Sequence, residues 1–131
     1  MKFDLDNLNP GVFFPFEDDD DEKGGVEIRV ANAGTMEIIN KETTKKKVEW
    51  RRNQRVEYDV VDEDKRSRML WDYVIISWKN VDDNNGNPIP CTTENKIKLM
   101  KESPIFSGFV GNCIDTLTAE SETRDEELEK N

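Results

Sequence analysis

The stretch DEDKRSRMLWDYVIISW, Asp62 to Trp78, decides how this chain is read. Asp62 or Asp64 can cap a helix, and acids at that end suit the helix dipole. Met69, Tyr73 and Ile76, flanked by Leu70, Val74 and Trp78, form a broad apolar surface, with Trp71 as a second contact face. A surface that wide implies packing on more than one side. The spacing predicts a helix over 62–79, the organising element of a small domain.

On its N-terminal side the signals are those of strands. VFFPFE (Val12–Glu17) and VEIRVA (Val26–Ala31) are β-prone, the second with period two, and Pro15 marks the first as an edge strand. The acids between them stay in water, and Gly24 and Gly25 permit the positive φ of a reversal, so residues 12–31 read as a hairpin with a charged tip. Asn32 and Thr35 are possible caps, with Met36 and Ile39 on one helical face. KETTKKKVEWRRNQR (Lys41–Arg55) carries seven cations against two glutamates, with Val48 and Trp50 as its apolar anchors. It reads as a mobile helical or loop segment.

On the C-terminal side lies NVDDNNGNPIPCTTEN (Asn80–Asn95), which has the look of a calcium loop. An EF-hand needs oxygen ligands at loop positions 1, 3 and 5, glycine at 6 and glutamate at 12. With Gly86 at 6, Val81 falls at 1 and Thr92 at 12, and a start at Asp82 puts Gly86 at 5 and Thr93 at 12. The turn reading fits better: Asn85-Gly86 suits a type I′ reversal, stiffened by Pro88 and Pro90, between two helices. Thr92 or Thr93 then caps a helix over 93–102. Pro104 opens another over 104–117, with Phe106, Phe109, Val110, Cys113, Ile114 and Leu117 on its apolar stripe. From Thr118 the pattern fades, and 118–131 reads as a flexible acidic tail.

The expected fold is therefore α+β: one domain over 1–117, with an N-terminal β-hairpin followed by a small bundle of three to four helices. Charged residues (37%) outnumber hydrophobic ones (34%), and the net charge of −10 favours a protein partner over nucleic acid. The acidic run Glu17–Glu22 reads as a solvated loop without the geometry of a cation site, and the basic run as a positive face that meets the chain's own acidic tails or an acidic partner. The acids of the first ten residues argue against a secretory leader, and no apolar run reaches a membrane span. Two cysteines, Cys91 and Cys113, suit a reducing cytoplasm. Histidine is absent, and no nucleophile–base pair, metal set or phosphate loop can be assembled. No enzyme, metal or cofactor is expected.

YVIISWKNVDDNNGNPIPCTTENKIKLMKESPIFSGFV, about Tyr73 to Ile114 with its flank, resembles the small tail assembly chaperones of long-tailed bacteriophages and prophages. The matching positions are Trp78, Val81, Asp83, Gly86, Pro88, Ile89, Pro90, Thr93, Glu94, Asn95, Leu99, Phe106 and Phe109. The resemblance implies a non-enzymatic protein of the host cytoplasm, absent from the mature virion. Its partners would be the tape measure protein and the tail tube protein, with self-association possible. Broad apolar faces suit such a client, and the expected contacts are Met69, Trp71, Tyr73, Trp78, Phe106, Phe109, Val110 and Leu117. The alternative is a virion structural or connector protein of the tail or head–tail interface, joined by sheet augmentation through the hairpin.

Overall fold

The computed structural model describes residues 1–16 and 24–129, with side chains up to residue 120. The elements are β1 (Val12–Pro15), β2 (Gly25–Ile28), α1 (Ala33–Thr43), β3 (Thr44–Arg51), β4 (Gln54–Val61), α2 (Glu63–Val74), β5 (Ile75–Lys79), α3 (Thr93–Glu102) and α4 (Pro104–Glu129). The class is α+β. A three-stranded antiparallel sheet in the order β1-β2-β5 packs with the helices, while β3 and β4 form a separate two-stranded ribbon.

The expected helix over 62–79 is half right. It starts as read: Asp62 is the N-cap, its carboxylate accepting from the Lys65 amide at 3.1 Å, with Glu63 and Asp64 in the first turn. It stops at Val74, and Ile75–Lys79 is a strand with Ile28 opposite Ile75 and Val26 opposite Trp78. The reason is local and tertiary at once. Val74, Ile75 and Ile76 are three consecutive β-branched residues, stiff at χ1 and at home on a pleated surface. β2, central in the sheet, takes this segment as its second neighbour, and Ile75 becomes fully buried. The apolar width read as a many-sided helix is the sum of a helix stripe and a strand.

The first hairpin is present, Val12 pairing with Ile28 and Pro15 with Gly25, and β1 is an edge as Pro15 required. Its acidic tip, residues 17–23, lies outside the described residues. Gly25 has no positive φ. It is needed for space, because a Cβ there would fall on the Phe14 carbonyl and 2.8 Å from Pro15 Cα.

The mobile segment expected over Lys41–Arg55 is ordered. Asn32 caps α1, its side-chain oxygen accepting from the Thr35 amide at 2.9 Å, and Ile39 and Thr43 are buried. The chain then enters β3, reverses and returns as β4, with Thr44 opposite Val61 and Arg51 opposite Gln54. Arg52 (φ 50°) and Asn53 (φ 64°) make the two-residue link, and positive φ at both is the type I′ signature.

That turn type had been expected at Asn85-Gly86. There only Gly86 has positive φ (80°), and the loop joins β5 to α3 rather than two helices. The Gly86 amide donates to the Asp83 carbonyl (3.0 Å) and the Asp83 amide to the Asn87 carbonyl (2.9 Å). This is a three-residue loop, a type I turn closed by a left-handed glycine. Asp83 selects it, because its carboxylate accepts from the Asn85 and Asn87 amides at 2.9 and 3.0 Å.

α3 spans the expected residues, capped by Thr92. α4 starts at Pro104 as read but runs on to Glu129, so the tail expected from 118 is helical over its described part. Thr118–Glu129 contains no proline or glycine, and five of its twelve residues are Glu, a straight-chain residue that loses little on entering a helix. Lost periodicity there means lost core, not lost helix. The core lies where β2 and β5 meet α2 and α4: Val26, Ile28, Val74, Ile75, Phe106, Val110 and Cys113.

Candidate functional site

The expected contact residues lie mostly in the packing. Val110 is fully buried and Phe106 is 8% exposed. Trp71, Tyr73, Trp78, Phe109 and Leu117 are part-buried against the core, and Met69 is part-buried on α2. Trp78 meets Phe106 edge-on (centroids 5.8 Å, 84°), and its indole N–H donates to the Ile89 carbonyl at 2.7 Å. That bond ties the Asp83–Gly86 turn and its proline exit to the sheet. The Tyr73 hydroxyl accepts from the Asn9 amide (2.9 Å), and the Arg29 guanidinium lies 3.8 Å over its ring. Contact with Thr35, then Asn9 and the Arg29 charge, holds the phenol below its usual pKa.

Two of the eight, Phe106 and Phe109, come together in an open groove of about 730 Å³. Its walls are Phe14–Phe16 at the end of β1, the turn residues Val81, Asp82 and Ile89, Leu99 and Ser103 of α3, and the first three turns of α4. Phe16 packs on Phe109 at 4.9 Å between centroids, so β1 and α4 form one continuous apolar floor. At the rim Ile105 is 88% exposed. Sequence reading missed Phe14, Phe16 and Ile105. The first two alternate with Phe13 and Pro15, a pattern that marks a strand and nothing more, while Ile105 falls beside the helix stripe that marks the core.

Burial pushes the Cys113 thiol up to about 11, so it stays protonated, and burial raises Cys91 as well. Among the described residues no cluster of acids and thiols could hold a metal ion. The Asp83 carboxylate is occupied by backbone amides. The most buried charge among the described residues, Lys96 (7% exposed), donates to Asp72 at 3.2 Å, and Thr93 donates its hydroxyl to the same carboxylate at 2.7 Å. The Thr93 hydroxyl, then Lys96, hold Asp72 below the usual carboxylate range. This triad latches α2 to α3 outside the groove, whose lining is apolar except for Asp82, Ser103, Asn112 and Thr116.

Residues 28–131 match the family model described as YdaY prophage protein. No curated protein and no solved structure matches.

Proposed function

The chain belongs to the YdaY prophage protein family, and from that premise we propose that it is a tail assembly chaperone-like binding protein. In this reading it is not an enzyme. It holds an apolar helix of the tape measure protein while tail tube subunits assemble, acts in the host cytoplasm, and is left out of the finished particle. The observation that carries the reading is the groove beside β1 and α4, with Ile105 open to solvent at its rim. Its volume of about 730 Å³ accommodates the few large side chains that an amphipathic helix presents at i, i+3 and i+7. The net charge of −10 favours keeping such a complex dissolved. The resemblance over Tyr73–Ile114 supplies the choice of client.

Co-expression with the tape measure protein of the same prophage tests it. The wild-type chain should raise the soluble yield of that protein, and Ile105→Glu, which alters an exposed side chain, should abolish the gain. Equal recovery with and without the chain refutes the proposal. A virion component is the second reading, favoured by the free edge of β1, where Val12 and Phe13 are 41% and 44% exposed and open to strand addition. Mass spectrometry of purified particles separates the two: many copies per particle support the virion role.

A further inference from the structure

The β3–β4 ribbon contributes nothing to the core. Apart from Thr44 and Val60, each of its residues from Thr44 to Val61 is exposed on both faces. Eight-residue strands extend about 27 Å, and the ribbon holds six cations against three acids on a chain whose total is −10. The charge is concentrated outward: Trp50–Arg55 contains three arginines and no acid. Trp50, at the tip, is 68% exposed. The register sets Trp50 opposite Arg55 and Lys46 opposite Asp59, so Lys46, Trp50 and Arg55 share a face with Glu57 and Asp59, while Lys45, Lys47 and Arg51 lie on the other face. Glu49 pairs with Arg51 (2.9 Å) and Glu57 with Arg55 (2.8 Å). Lys45, Lys46, Lys47 and Arg52 make no ion pair among the described residues.

We infer that this ribbon is an arm around which single-stranded nucleic acid wraps, the unpaired cations of both faces meeting phosphates while Trp50 stacks on an unpaired base. An acidic peptide meets the cations but covers the indole only where it also carries an apolar side chain, whereas every nucleotide brings both a phosphate and a base. A base has a π-face that uses the indole. The acidity of the whole chain, which weighs against nucleic-acid binding when charge is counted over the sequence, acts weakly at the tip. The screening length at physiological ionic strength is about 8 Å, well short of the arm's reach of about 27 Å.

The test is fluorescence anisotropy of the full chain with a labelled thirty-nucleotide oligo-dT and with a thirty-base-pair duplex, from 50 to 200 mM salt. Four phosphate contacts imply a slope near −3 in log K against log salt for the single strand, an affinity loss of about 50-fold over that range. Replacing Lys45, Lys46 and Lys47 together by Gln should flatten the slope by about 2. Trp50→Ala should weaken oligo-dT binding about tenfold and leave the slope unchanged. These substitutions fall on exposed positions, and circular dichroism checks that the body remains folded. No binding to oligo-dT overturns the inference. So does Trp50→Ala binding as well as wild type, or polyglutamate competing as effectively as oligo-dT, which would assign the arm to an acidic protein.

Discussion

Replacing Ile75 and Ile76 one at a time by Ala separates the strand from the helix that the sequence suggested. In a helix over 62–79, Ile76 falls on the stripe with Met69 and Tyr73, and Ile75 lies off it. In the structure the order is reversed. Ile75 is 0% exposed, opposite Ile28 in the core, whereas Ile76 is part-buried on the other side, against the Gly11 backbone. Truncating a fully enclosed isoleucine costs about 4 kcal/mol, counting lost transfer energy and the cavity. A part-buried one with room to relax costs about 1–2 kcal/mol. Against a total stability of about 5–15 kcal/mol the first loss is severe. Urea unfolding followed by far-UV circular dichroism reads the difference: with a slope of about 2 kcal/mol per molar, Ile75→Ala should lower the midpoint by about 2 M and Ile76→Ala by less than 1 M. If Ile76→Ala proves the costlier, the β2–β5 pairing is wrong.

Other perturbations test separate parts of the fold. Gly108 sits inside α4 with nothing within 4 Å of where a Cβ would go, so Gly108→Ala should stabilise by about 0.5–1 kcal/mol in the same urea assay. Arg52 and Asn53 hold positive φ without being glycine, and Arg52→Asn with Asn53→Gly should strengthen the ribbon by about 1 kcal/mol. Hydrogen exchange within 44–61 should slow accordingly, and unchanged exchange would rule out the type I′ assignment. Asp72 has its pKa lowered in the fold, so its contribution is complete above about pH 4 and fades as pH falls through the lowered value. Thermal melts should show wild type above Asp72→Asn by a modest, constant margin from pH 7 to 5, a margin that narrows as the pH falls below 4. A gap that ignores pH would mean the carboxylate charge is not its source.

Where local chemistry and tertiary demand agree, the sequence is easily read. Thr92, Pro104 and Asp62 are caps or first-turn residues in the structure as their types suggest, and the 12–31 hairpin is there. Reading fails where one signal hides another. The apolar run Val74–Trp78 satisfies helical and extended spacing alike, and only the need of β2 for a second neighbour decides. In β4 the alternation Val56, Tyr58, Val60 is plain once seen, but the cations of β3 pull attention to charge. The groove was legible only in half. A helix stripe marks core and client surface with the same residue types, and Phe106 and Val110 are core because β2 and β5 cover them. Of the phage assignment, the family match carries the prophage origin, and the tail assembly role rests on the turn and the groove.

The base of the ribbon has a consequence for modularity. The Asp62 amide donates to the Thr43 carbonyl at 2.7 Å, so α1 ends and α2 begins within one hydrogen bond of each other. Everything from Thr44 to Val61 is thus an insertion into a path that is already closed behind it. Exchanging it for a short Asn-Gly link should leave the sheet, the latch and the groove in place. Such an armless protein keeps one proposed activity while discarding the other. A prophage lineage could lengthen, shorten or recharge the arm by the same route, with the body acting as an unchanging socket.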